Sequence, residues 1–348
     1  MTARAIARAV TASVPGRLCL AGESLDWMTG GSSVVTAVPL RTRVTAWQAV
    51  GSTALVLTSG PPLFRTRLVP AAQAAGRQYD GHVLDHMQAA VRVSLRQAEL
   101  IAGTVLTAST ELPVAAGLSS SAALTLAVVT ALGGLAGDPL EIAQVCGLAR
   151  QAETSELGSG AGWMDFLACA YGGVNRVNAG ELPTIERIAP NLGIPVVVID
   201  TLQRRTTMKV LASKRARFEA RETAMIDYSR QAGELVDAVT ELLTAKTVDY
   251  RQVGRLLNAG QDLLRGKVRC STELIDTCAK RVLAAGAFGA KLTGSGHGGC
   301  LFALVPDDAL TAVLESVADL PVHAVALPTS EPRGLISSLS EPYASTSA

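Results

Sequence analysis

The chain has almost no excess charge of either sign. Thirty-one Lys and Arg oppose thirty Asp and Glu across 348 residues, a net charge of +1. Nucleic-acid and acidic-membrane binders depend on a strong positive excess, so neither partner is expected. If anions are handled, local geometry must do it. Charged residues are only 18% of the chain and hydrophobic ones 48%, which excludes a disordered chain or a coiled coil, since both need a more polar composition. Cysteine is sparse as well. Cys19, Cys146, Cys169, Cys270, Cys278 and Cys300 form no C-x-x-C pair, so no zinc site or disulfide framework is indicated and reduced, buried thiols are expected. Arg4 and Arg8 interrupt any signal-peptide apolar core, which points to a cytoplasmic location. One charge-free run, Leu112 to Gly137, contains Pro113, three serines and several glycines. It is a poor bilayer span and reads as a helix buried on all sides.

The length is about twice that of a usual single domain, so one very large domain or two domains sharing a cleft is expected. Short β-rich runs lie within 32–58 and at 104–110. Helical spacing runs from Ser119 to about Leu132 and from Leu140 to about Ala152, with Asp138-Pro139 as the turn between them. IPVVVIDT, Ile194 to Thr201, reads as a buried strand. Over 211–246, Phe218, Met225, Tyr228, Leu235, Val239 and Leu242 share one face of a single helix. A helix over Ser271 to Ala285 and a strand over Leu301 to Val305 follow, and the end of the chain, YASTSA, reads as frayed. The boundary is placed near 180, dividing the chain into 1–180 and 181–345.

The strongest local signal is Pro113-Val-Ala-Ala116-Gly117-Leu118-Ser119-Ser120-Ser121-Ala122-Ala123, a glycine and serine turn opening directly into an apolar helix. Free N–H groups and the positive end of the helix dipole would hold phosphate oxygens there without net positive charge. An ordinary serine N-cap is the alternative, although three consecutive serines exceed what a cap requires. No Walker A pattern, G-x-x-x-x-G-K-[ST], occurs. A second segment, Lys291-Leu-Thr293-Gly294-Ser295-Gly296-His297-Gly298-Gly299-Cys300, satisfies G-x-G-x-x-G, but it precedes a strand instead of opening a helix, which argues against a dinucleotide fold. It reads as a tight loop whose backbone approaches a ligand or the first loop. A third, Val14-Pro15-Gly16-Arg17 through Gly22-Glu23-Ser24-Leu25-Asp26-Trp27, crowds ionisable groups beside glycines. It suits polar substrate recognition or a solvated hairpin equally well. Finally, Asp165 follows glycines 158, 160 and 162 and lies beside Trp163, Met164 and Phe166, where a lone carboxylate would be costly to bury without a partner or a role.

The order and content of these segments resemble the GHMP kinases, named for galactokinase, homoserine kinase, mevalonate kinase and phosphomevalonate kinase. VPGRLCLAGESLDW, PVAAGLSSSAA and KLTGSGHGGC are similar to that family's three motifs. The resemblance implies an α+β, two-domain fold with a ribosomal-protein-S5-like N-terminal half and a ferredoxin-like C-terminal half. ATP and substrate would bind in the cleft between them. It implies that Pro113, Ala116, Gly117, Leu118, Ser119, Ser120, Ser121 and Ala122 wrap ATP, and that Ser121 and Glu153 hold Mg²⁺, with Glu156 a second candidate. Asp165 would be the catalytic aspartate and Arg17 its partner. Arg17, Glu23, Ser24, Asp26, Asp165, Gly294, Ser295 and Gly296 would meet the substrate.

Arginine at 17, W-M-D at 163–165 and IDTLQRRT at 199–206 look like the galactokinase side of the family more than the mevalonate side, which carries lysine at the first position. The implied partner is a sugar phosphorylated at its anomeric hydroxyl. Ser24 stands where galactokinases carry histidine, and TTMKVLASKRAR has no counterpart of their S-E-Y-N run, so galactose itself is put in doubt and a modified hexose, heptose or octose is a candidate. A mevalonate-type kinase and a non-catalytic sugar sensor are the competing readings, and a monomer or homodimer is expected. His82 and His86, four apart, resemble a metal pair but lack a third ligand. His297 is expected to pack or line its loop, and Trp163 to be core lining the cleft.

Overall fold

The computed structural model describes residues 9–340, apart from 50–51, 53, 62, 71–72, 74–78, 96–102 and 205–206. The YASTSA terminus, the last residues of the expected C-terminal half and the end of IDTLQRRT lie outside the described residues. In chain order the elements are β1 (Ala9–Ala21), α1 (Leu25–Met28), β2 (Ser32–Gln48), β3 (Ala54–Ser59), β4 (Arg65–Pro70), α2 (Asp85–Leu95), β5 (Thr104–Thr110), α3 (Ser120–Ala136), α4 (Ile142–Gln151), α5 (Met164–Tyr171), β6 (Val174–Asn178), β7 (Thr184–Ala189), β8 (Val196–Asp200), α6 (Thr207–Glu219), α7 (Thr223–Thr244), α8 (Tyr250–Leu263), α9 (Glu273–Ala284), β9 (Gly289–Leu292), β10 (Cys300–Leu304), α10 (Leu310–Glu315), β11 (His323–Leu327) and β12 (Ile336–Ser340).

Two sheets organise these elements. The first runs β12-β1-β2-β5-β3-β4, with β6 also pairing β2 and β7 pairing β6. Its long β2 gives one edge to β1 and divides the other, Ser32–Thr36 to β6 and Thr42–Gln48 to β5. The second sheet is antiparallel in the order β11-β8-β10-β9. Counted along the chain that is fourth-first-third-second, with helices between its first and second and its third and fourth strands, the ferredoxin-like arrangement. The chain passes between sheets after Ala189 and before Val196, and β12 returns to pair with β1.

The charge-free run becomes α3, buried all round at Ala122, Ala123, Leu126, Ala127, Val128 and Val129, with β1, β2, α2, α4 and α5 packed on it. Among the described residues no helix is long and apolar enough to cross a membrane. All six cysteines are free thiols and buried. The expected single helix over 211–246 is two, α6 and α7. The break falls at Arg221, which takes a left-handed φ of 53°, while Arg217 pairs with Glu222 and donates to the carbonyls of Lys267 and Val268. The apolar period runs across the junction, so periodicity alone could not reveal it.

Candidate active site

A cavity of about 480 Å³ is lined by the first sheet and the loops and helices around it, with Gly294 and Ser295 contributed by the loop between β9 and β10. β1 and the turn and short helix after it deliver Arg17, Glu23 and Asp26, the turn after α4 delivers Glu153, the start of α5 delivers Asp165, and the start of α3 and the loop before β10 add serines and glycines. A register shift between Pro15 and Gly16 interrupts the β1–β2 ladder. Just past it, the Arg17 N–H donates to the Leu118 carbonyl at 3.2 Å. Its guanidinium, 2% exposed, places Nε 2.9 Å and Nη2 2.6 Å from Asp165 Oδ1. Nη1 donates to the Gly117 carbonyl at 2.6 Å. Both contacts to Asp165 fall on Oδ1, so Oδ2 accepts no hydrogen bond among the described residues. Burial opposes the guanidinium charge, but Asp165 more than compensates and the Arg17 pKa is raised.

The serine loop is pinned from outside. Ala116, Gly117 and Leu118 give their carbonyls to Cys300 N–H, Arg17 Nη1 and Arg17 N–H respectively. Ala115, Gly117 and Ser119 have φ of 56°, 90° and 62°, whereas Ala116 and Leu118 do not share that hand. Such alternation of hand turns successive N–H groups toward one side and makes an anion-binding concavity, which opens into the N-terminus of α3. There the first-turn N–H groups have no intrahelical partners, and Ser119 makes no side-chain cap. Gly294 lies against this loop: a Cβ there would come within 2.8 Å of the Gly117 Cα. The second segment therefore presses on the first, and because it runs from β9 to β10 it opens no helix.

Arg17, Glu23, Ser24, Asp26, Gly117, Ser119, Ser120, Ser121, Glu153, Asp165, Gly294 and Ser295 all line the cavity. Pro113, Ala116, Leu118, Ala122 and Gly296 do not. Ala116 and Leu118 contribute carbonyls from buried positions, Ala122 is in the core, and Gly296 packs on Cys270. The buried Ser119 Oγ, Ser295 Oγ and Glu153 Oε1 have no hydrogen-bond partner among the described residues. An orphaned buried polar atom costs about 1–3 kcal/mol, so three around one cavity fit a polar ligand: hydroxyl donors for phosphate oxygens, and a carboxylate for a hard cation.

Glu153 lies in a π-helical turn, Ala152–Glu156, and burial, reinforced by Asp165, raises its pKa to about 8. Glu156 is committed elsewhere. Its Oε2 receives the Tyr79 hydroxyl at 3.1 Å and the Arg92 Nε at 3.2 Å, and it does not reach the cavity.

Asp26 is fixed by two backbone donors, Trp27 N–H to Oδ1 at 3.0 Å and Met164 N–H to Oδ2 at 3.2 Å. Burial, then the charge of Asp165, raises its pKa to about 6. A Cβ on Gly162 would sit 1.8 Å from Asp26 Oδ2, so only glycine permits the approach.

Sequence reasoning missed Lys291. Buried in β9, it ion-pairs with Glu23 and donates to the Leu292 carbonyl at 3.0 Å. Burial lowers its pKa to about 7. A lone lysine in the strand GAKL was the available signal, since a buried ammonium needs a partner. Trp27 lines the cavity and Trp163 does not. Trp163 instead carries the Arg150 guanidinium 4.7 Å from its ring centroid. His297 is exposed, with a left-handed φ of 58°, and its N–H donates to the Cys270 carbonyl at 2.6 Å. His82 lies in the turn ahead of α2, where its Nδ1 accepts the Leu84 N–H at 3.2 Å, so it does not share a helical face with His86.

The family description "GHMP kinases N terminal domain" matches residues 81–173, and "GHMP kinases C terminal" matches 237–322. A mevalonate kinase of Aeropyrum pernix is 32% identical over 314 residues, 90% of this chain and 93% of the relative. The chain belongs to the GHMP kinase family.

Like other GHMP kinases it is a phosphotransferase that uses ATP and an alcohol acceptor. Among solved structures, galactokinase of Lactococcus lactis in complex with galactose superposes with a TM-score of 0.81 at 22% identity, covering 94% of this chain and 95% of that one. Mevalonate kinase of Methanococcus jannaschii gives 0.78 at 18%, covering 92% and 98%. These two likenesses establish the GHMP kinase fold and leave the acceptor open.

Proposed function

We propose that this GHMP kinase phosphorylates a neutral polyhydroxylated acceptor, a sugar, at its anomeric hydroxyl to give a sugar 1-phosphate. The charge of the acceptor end carries the reading. Glu23, Asp26 and Asp165 line it, and among the described lining residues Arg17 is the sole guanidinium or ammonium, already held by Asp165 and Gly117. Sugar hydroxyls donate to such carboxylates, whereas an acceptor with its own carboxylate, such as mevalonate, would find no free cation among the described lining residues, because Arg17 is held by Asp165, and Lys291, which does not line the cavity, by Glu23.

In this reading Arg17 orients Asp165 through Oδ1, leaving Oδ2 to take the acceptor proton. The acceptor oxygen then bonds to the γ-phosphorus as the bond to the ADP oxygen breaks, and the charge leaves on ADP. An anomeric hydroxyl is more acidic than an ordinary alcohol, so it asks less of an aspartate base. The serine-loop N–H groups and the α3 dipole hold the phosphates. Ser121 and Glu153 would hold Mg²⁺, which when bound neutralises the β- and γ-phosphates.

The identity shared with the Aeropyrum pernix enzyme favours a second reading, a primary-alcohol kinase of the mevalonate type. ATP consumption over a panel of hexoses, higher-carbon sugars and mevalonate separates the two. Phosphorus NMR should then show an acid-labile anomeric phosphate. Turnover of mevalonate with every sugar inert would overturn the proposal. Asp165→Asn should lower kcat by about 10²–10⁴, and near-native turnover would remove Asp165 from the base role.

A further inference from the structure

The acceptor end has a second, apolar face, supplied by α6. Positions 208, 211, 215 and 218 recur at spacings of three and four and so share one helical face. The lower part of that face lies on α1. The Arg215 guanidinium sits 5.2 Å from the Trp27 ring centroid, and the Phe218 ring meets Trp27 edge-on at 6.5 Å. One and two turns farther up the same face, Leu211 and Met208 line the cavity together with Trp27. The rest of α6 is rich in Lys and Arg, yet a methionine that is 48% exposed is held at the cavity rim. Trp27 immediately follows Asp26 in the chain, so this apolar wall adjoins the end where Asp26 and Asp165 stand rather than the serine loop.

We infer that the acceptor is an amphipathic sugar, a deoxy or C-methyl-branched one. Its apolar substituent lies against Trp27, Leu211 and Met208 while its hydroxyls meet Glu23, Asp26 and Asp165. The inference rests on the sugar reading above. A fully hydroxylated sugar would turn a hydroxyl toward side chains that cannot pair with it, a handicap of about fivefold or more. A methyl group buried in its place gains about fourfold. Together these predict a preference of at least about tenfold.

The test is kcat/KM for matched pairs, D-fucose against D-galactose and L-rhamnose against L-mannose, with mevalonate as a separate arm. The wild-type enzyme should favour the 6-deoxy member of at least one pair about tenfold. Leu211→Gln, which places an amide in the apolar wall, should cut that preference to about threefold or less while leaving the KM for ATP unchanged. Met208→Gln, at the exposed rim, makes the same test should Leu211→Gln not fold. Parity, or preference for the hydroxylated members, overturns the inference and leaves the sugar reading standing, as does a preference that neither substitution changes. Inertness of every sugar overturns both.

Discussion

Gly162→Ala tests how Asp165, the proposed base, is held in place. Gly162 has no positive φ, so alanine suits its backbone, but the added Cβ lands 1.8 Å from Asp26 Oδ2 and 2.2 Å from Cγ. Asp26 must swing away and give up the N–H groups of Met164 and Trp27. Hydrogen bonds to a charged acceptor are worth about 1.5–3 kcal/mol each. That loss is offset, because burial opposes the Asp26 charge and raises its pKa to about 6 even with both hydrogen bonds made, so the displaced carboxylate escapes a desolvation penalty. The change in stability should therefore be smaller than the two bonds alone suggest, and the decisive readout is kinetic. Met164 opens α5 and Asp165 is the next residue, so release of that N–H should move the aspartate by a fraction of an ångström or more and lower kcat by about a hundredfold. The control is Gly147→Ala. Gly147 is helical in α4, and a methyl group there would meet nothing within 4 Å, so the substitution should stabilise the protein by about 0.5–1 kcal/mol with unchanged kinetics. Were Gly162→Ala to behave like Gly147→Ala, Asp26 would have no part in holding Asp165.

In metal-free protein, Glu153 keeps its proton up to about pH 8 while the unfolded chain releases it near 4.5, so stability should fall as pH rises through that window, by about 3 kcal/mol between pH 4.5 and 7. Glu153→Gln should remove that component, and urea midpoints of the two proteins that stay parallel across pH would refute it. Lys291→Met should cost about 3–5 kcal/mol by stranding the buried Glu23 carboxylate. Combining it with Glu23→Gln should recover much of the loss in thermal unfolding, and strict additivity would show the pair to be uncoupled. Arg17→Lys keeps the charge but cannot reach Asp165 Oδ1 with two donors and the Gly117 carbonyl with a third at the same time. It should lower kcat by at least about tenfold with little change in the KM for the acceptor, and wild-type kcat would count against the positioning role.

Much of this was legible because the signals were local. The glycine and serine run before an apolar helix pointed to a turn with free N–H groups at a helix start, and glycines beside Asp165 pointed to a carboxylate in need of a partner, since both follow from backbone rules acting over a few residues. What failed was long-range. Phe218 and Met225 keep the same helical period across the break at Arg221, and the break depends on Arg217 reaching Glu222, Lys267 and Val268. Glu153 and Glu156 look alike in sequence. They part only because Arg92 and Tyr79 occupy one and leave Oε1 of the other unpartnered.

The near-zero net charge alone required that any anion be met by local geometry, and the order of the three glycine and serine segments specified the family and its fold. Tertiary structure decided the rest, because each remaining question was one of pairing between distant residues. Arg17 is directed at one oxygen of Asp165 by contacts spanning 100 and 148 residues, and Lys291 neutralises Glu23 from the far end of the chain. The apolar wall of the cavity exists only because α6 folds back onto Trp27. Burial makes each pairing decisive, since a charge or hydroxyl removed from water must find its partner within the fold or in a ligand.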